Sequence, residues 1–198
     1  MKRLFSSVFI SLITLLTPLE RAISAPFYDL LEEGDFIFRE GTEFVSDVVR
    51  SLDDDLYSHV GMVIYEEGAW KVIHATPDEI GDGFSGVVID SIEFFLAKER
   101  SDHFAIYRVK NEGVIAQSAT QFARLQQGVP FHYDVAQGTY CTRLIYDAYQ
   151  AADLDLEVEF SSIRAPMVSG DYLFPSQLRG SKKIELIYQG RYTDLEDH

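Results

Sequence analysis

A chain of 198 residues is long enough for one full hydrophobic core and too short to expect two, and 46% hydrophobic with 13% aromatic residues excludes a disordered protein. Its 32 acidic residues against 17 basic ones give a formal charge of −15, which sets the surface against phosphate backbones and anionic lipid head groups and argues against a nucleic-acid partner. One cysteine among 198 residues leaves a single unpaired thiol.

In chain order, Lys2 and Arg3 precede an apolar run over residues 4–16, which is broken at Pro18 and followed by small residues at 22–25. That order predicts a secretory signal over residues 1–24, cleaved after Ser24 and followed by one domain over 25–198. The run is short for a bilayer span, so no stable membrane span is expected after cleavage; an uncleaved anchor is the alternative. Losing Lys2, Arg3, Glu20 and Arg21 removes two net positive charges and leaves −17. Export, to the periplasm on this reading, exposes the lone thiol to oxidation, which favours a role for it.

Alternation predicts a strand over 35–39, and a helix over 41–52 with Phe44, Val45, Val48 and Val49 on one face. Asp53, Asp54 and Asp55 then read as a solvated turn, since the Gly and terminal Glu of a calcium loop are missing. Two β-rich runs, 57–66 and 70–76, meet at Glu67-Gly68, a two-residue hairpin signal. In that register His74 lies across from Gly61 and His59 across from Thr76. The two rings become diagonal neighbours on one face, and Gly61 leaves room between them. A shift of one residue would send them to opposite faces.

A strand is predicted over 86–90, with Asp90-Ser91-Ile92-Glu93 read as a capping box opening a helix through residue 98. Residues 103–110 alternate, Phe104 and Ile106 against Ala105, Tyr107 and Val109, with His103 at the surface. An amphipathic helix over 114–127 stops at Gly128 and Pro130. Residues 131–134 bridge to a helix in which Leu144, Ile145, Ala148 and Ala151 recur, so Cys141 falls in its first turn. Ser176 beside Pro175 reads as a turn, 183–189 as a last strand, and 194–198 as a polar tail.

A helix tip favours thiolate over thiol, and its N–H groups suit the oxygen of a tetrahedral intermediate. The bland alternative is a small residue packed in the core. A thiol nucleophile needs a base and a group to orient it. Cys141 is the candidate nucleophile, His59 the base and His74 the orienting residue, with His132 in reserve. A metal site of His59, His74, Cys141 and Asp134 is a rival, although the spacing fits no compact zinc pattern. The reading calls for no cofactor.

The ordered pieces Gly34-Asp35-Phe36-Ile37-Phe38, Ser58-His59-Val60-Gly61-Met62-Val63, Val72-Ile73-His74-Ala75, Tyr133-Asp134 and Tyr140-Cys141-Thr142-Arg143-Leu144-Ile145-Tyr146 resemble the NlpC-type cysteine hydrolases of permuted papain fold, in particular the YiiX/YebB-like group. The resemblance spans residues 34–178. It implies an α+β fold in which a small antiparallel barrel or sheet packs against the cysteine helix, and it carries nucleophile, base and third polar residue onto Cys141, His59 and His74. A Tyr–Asp pair upstream of the cysteine is also a feature of the group and falls here on Tyr133 and Asp134, which with Tyr140 are taken as substrate-binding candidates. Two positions depart from the group: the third residue is often Glu, whereas His stands here as in lecithin:retinol acyltransferase-like cousins, and Thr142-Arg143 replaces the more usual Ser-Glu. The expected activity is cleavage of an amide in cell-wall (murein) peptide through an acyl-enzyme. A lipid acyl ester or thioester hydrolase or acyltransferase is the second reading, and a non-catalytic binding protein the third.

Overall fold

The computed structural model describes residues 27–192 except 43, 79–80, 82, 111–112 and 166–167, so the proposed signal segment and the polar tail lie outside the described residues. Strands β1 (Phe36–Gly41), β2 (His59–Glu66), β3 (Ala69–Thr76), β4 (Gly86–Ser91), β5 (Ser101–Val109) and β8 (Ile184–Arg191) form one open antiparallel sheet in the order β4-β3-β2-β1-β5-β8. Helices α3 (Gly113–Leu125) and α4 (Cys141–Ala151) pack together on one face, against Phe36, Phe38, Val60, Met62 and Ile73. The opposite parity, including Ile37, Val63, Val72, Phe104 and Ile106, is covered by Phe27, Leu31 and the one-turn helix α2 (Ile92–Phe95). Both faces are therefore buried, which is why these strands read as long apolar runs.

The β2–β3 hairpin keeps the predicted register, with Met62 opposite Ile73 and Tyr65 opposite Trp70. Its turn has positive φ at both central residues, 54° at Glu67 and 82° at Gly68, which matches the twist of the strands it joins. Ahead of β1, Gly34 takes φ 90°, and a Cβ there would lie 2.6 Å from the Cβ of Ala116. Tyr149 of α4 donates its hydroxyl to the Gly34 carbonyl at 3.0 Å, tying that helix to the start of β1. Asp35 is fully buried; burial raises its carboxyl, and a two-pronged bond from Arg108 at 2.7 and 2.8 Å opposes that.

Four local expectations change. Helix α1 spans Phe44–Asp53, leaving Gly41 in β1, and Val48 and Leu52 are exposed instead of facing the core. The acidic run after it is no simple solvated turn. Asp53 accepts the backbone N–H of Ser176 at 2.9 Å and its hydroxyl, while Asp55 grips Arg179 at 2.7 Å. Ser176 belongs to helix α5 (Pro175–Arg179), whose start is held to the end of α1 by these bonds. The helix cap at residue 90 moves to Ser91, whose Oγ accepts from the Phe94 N–H at 3.1 Å, and Asp90 stays in β4. A hairpin of two short strands, β6 (Ser161–Ala165) and β7 (Val168–Tyr172), has no counterpart in the sequence reading. Among the described residues no helix is long and apolar enough to cross a membrane.

Candidate active site

Cys141 is the first residue of α4, and Tyr140, its N-cap, contributes no side-chain cap to the first turn. That turn is pinned from below by one residue. The Leu173 N–H donates to the Tyr140 hydroxyl at 3.1 Å, and the Thr142 hydroxyl donates to the Leu173 carbonyl at 2.6 Å. Both side chains thus fix the helix tip in place while Cys141 lines a cavity of about 160 Å³.

His59, at the start of β2, lines the same cavity. Its Nε2 lies 2.8 Å from Nδ1 of His74, and Nε2 of His74 lies 3.0 Å from the Asp90 carboxylate. The register explains the chain of contacts: His74 sits opposite Val88 and Val72 opposite Asp90, so Asp90 is the diagonal neighbour of His74 on the face that carries His59. Proton assignment follows from the ends. A carboxylate only accepts, so with His74 neutral its Nε2 donates to Asp90 and its Nδ1 accepts from Nε2–H of His59. In that tautomer Nδ1 is the unprotonated nitrogen of His59.

The imidazoles are buried, and Phe95 packs against both rings with centroids 5.6 and 4.9 Å away. Beneath them lies Arg39, fully buried and directly across from His59 in the β1–β2 register. Its guanidinium stacks 4.7 Å over Phe95 and donates to the Phe95 carbonyl at 2.9 Å. Burial pushes the Cys141 thiol up to about 11, against the pull of the backbone N–H groups of Val60, Thr142 and Cys141 and the charge of Arg39. This runs against the thiolate favoured by a helix tip: desolvation outweighs the dipole and favours the thiol.

Tyr133 and Tyr140 both line the cavity, in a cluster with Tyr172 whose ring centroids are 5.9 to 6.4 Å apart. Burial raises both phenols, that of Tyr133 to about 12, with Cys141 a further contributor. Asp134 lies outside the cavity. Its exposed carboxylate accepts from Ala136 N–H and Gln137 Nε2, both at 3.0 Å, and the Gln137 amide is the main cause holding it below the usual carboxylate range. The predicted pocket role for Asp134 is therefore replaced by a turn-forming one. His132 is likewise turned into its own loop, its Nδ1 accepting the Asp134 N–H at 2.9 Å. Asp90 and Arg39 are the members of this cluster that the sequence reading missed. Asp90 carried a signal, an acid at the end of a strand beside His74, but its DSxE context matched a helix start equally well.

A family model described as "permuted papain-like amidase enzyme, YaeF/YiiX, C92 family" matches residues 30–170. Among solved structures, the crystal structure of the metalloprotein YiiX from Escherichia coli O157:H7 superposes with a TM-score of 0.67 at 16% identity, covering 81% of this chain and 98% of that one. No curated protein matches the chain. The model match over most of the chain, on a sheet that presents a hairpin histidine ahead of the cysteine helix, leads to one conclusion: the chain belongs to the permuted papain-like amidases of the YaeF/YiiX, C92 family.

Proposed function

We propose that the protein is an exported cysteine amidase that works through an acyl-enzyme on Cys141, with His59 as general base and His74 and Asp90 holding that base. The observation that carries the reading is the unbroken contact series Asp90–His74–His59 ending at the cavity that Cys141 lines. In the resting site the thiol keeps its proton. As the sulfur attacks the amide carbon, Nδ1 of His59 takes that proton, and the resulting imidazolium is supported through His74 by the carboxylate. The oxyanion falls near the first turn of α4, which carries no side-chain cap from Tyr140. The imidazolium protonates the departing amine; water, deprotonated by the same nitrogen, then releases the acid.

The wall-peptide reading of the substrate rests on the amidase family and on the signal pattern of residues 1–24. The metal reading finds less support, although the structural neighbour is titled a metalloprotein. The two imidazoles are engaged with each other, and His74 with Asp90. Among the described residues, no three His, Cys, Asp or Glu side chains are grouped to hold an ion.

The test is turnover of an amide substrate by the wild type, Cys141→Ala, His59→Ala and His132→Ala, with metal content measured in the same preparations. Cys141→Ala is expected to be inactive, His59→Ala to fall roughly 10²- to 10⁴-fold, and His132→Ala to stay within about threefold. Turnover that survives loss of the thiol, or that tracks stoichiometric zinc, overturns the proposal.

A further inference from the structure

Strand β1 buries a permanent charge in an apolar row. On the sheet face turned away from α3 and α4, Ile37 sits among Val63, Val72, Phe104 and Ile106, and Arg39 takes the next place along β1 on that same face, fully buried. A guanidinium in such a place is costly unless well-aligned partners hold it. Here its plane is fixed by Phe95: Nη1 donates to the Phe95 carbonyl at 2.9 Å, and the group lies over the Phe95 ring, 4.7 Å from the centroid. The backbone is fixed as well, because the Ser58 N–H donates to the Arg39 carbonyl at 3.1 Å.

This charge is set beside the proposed base. Arg39 is the partner of His59 across β1 and β2, and residues so paired have Cβ atoms about 5 Å apart. Arg39, His59, His74 and Asp90 therefore run in that order across β1, β2, β3 and β4, with a cation at one end and a carboxylate at the other. On the cavity side stand Cys141, Tyr133 and Tyr140, and burial keeps both phenols protonated at neutral pH. The two ends of the row act in opposite directions. The carboxylate, working through His74, favours a proton on His59, and a ring that already holds one cannot take the proton of the thiol. The guanidinium disfavours that proton. It also pulls the Cys141 thiol down, against the larger upward effect of burial.

We propose that Arg39 is a positioning residue for the proton of the proposed amidase: its fixed charge keeps His59 free of a proton in the resting site, so that the base can receive one from Cys141. The proposal rests on the Cys141 reading above and assigns the group that readies its base. The sign follows from the charge. Without the guanidinium, imidazolium forms more easily and His59 holds its proton to higher pH. The thiolate loses a neighbour of opposite charge, so Cys141 ionises at higher pH. Loss of Asp90 acts on the same ring in the reverse direction.

The experiment compares wild type with Arg39→Met, which keeps much of the bulk, and Arg39→Lys, which keeps the charge. Histidine ring protons are followed by NMR as a function of pH, with His59 assigned from His59→Ala, and Cys141 is alkylated with iodoacetamide at mildly basic pH. In Arg39→Met the His59 midpoint is expected to rise by about one pH unit and alkylation to slow about three- to tenfold, while His103 and His132 titrate as in wild type. Arg39→Lys is expected to bring the alkylation rate back to within about twofold of wild type and the His59 midpoint back with it. An unmoved or lowered His59 midpoint in Arg39→Met, or an Arg39→Lys no closer to wild type than Arg39→Met, makes Arg39 a packing residue and overturns the proposal. Loss of cooperative urea unfolding in both variants does the same. None of these results touches the nucleophile, whose separate test is loss of amide turnover in Cys141→Ala; turnover that survives there ends the Cys141 reading whatever Arg39 does.

Discussion

At the scale of single residues, the proposed site turns on two contacts, one between the imidazoles and one from His74 to Asp90. His74 bridges His59 and Asp90, so the negative charge that supports a protonated His59 sits one ring further away than in a three-member triad. Asp90→Asn keeps the shape and removes the charge. It is expected to lower kcat/KM roughly 10- to 100-fold. Because the imidazolium loses its support, the acid limb of the pH profile should move to lower pH; a profile that keeps its position would assign Asp90 a packing role only. The thiol offers a second reading. Burial holds it up at about 11, so the thiolate fraction is small at neutrality and grows about tenfold per pH unit toward that value. Alkylation by iodoacetamide should therefore climb steadily from pH 6 to pH 10. A rate already level at pH 6 would mean that thiolate and imidazolium exist as a preformed pair.

At the scale of elements, much of the site was legible because a two-residue hairpin turn leaves little freedom in register. Glu67-Gly68 determines that residues 59 and 74 meet, and the rings do meet. Gly61 shows how tight the arrangement is. A Cβ there would lie 2.2 Å from Cγ1 of Val72 and 3.2 Å from Cβ of His74, both on β3. Gly61→Ala is expected to cost about 1–3 kcal/mol in urea denaturation and to lower activity further by displacing His74; a variant with native stability and full turnover would contradict that geometry. Asp90 escaped the sequence reading because β3 and β4 are joined by a longer loop that does not dictate register. The Asp53–Ser176 and Asp55–Arg179 contacts escaped it for a different reason: they join residues more than 120 positions apart, and no periodicity reports such a pairing. The five-residue β6 and β7 strands, SSIRA and VSGDY, are too short and too rich in Ser, Gly and Asp to announce themselves as strands.

At the scale of the whole molecule, the family motifs and strand parities foretold the sheet and the cysteine helix, since both depend on local patterns repeated over several residues. Which groups line the cavity was not readable, because α1, the β6–β7 hairpin and Phe131 meet only once the chain has folded. The acidic composition describes the molecule only as an average. It did not report the hollow beside the thiol, where none of the described lining residues is Asp, Glu, Lys or Arg.

The contact series through residues 59, 74 and 90 is drawn wholly from the first half of the chain, whereas the sulfur follows only after another helix. The two parts of the proposed site therefore belong to separate stretches of the chain, and the packing of α4 on β2 and β3 is what brings them to one cavity.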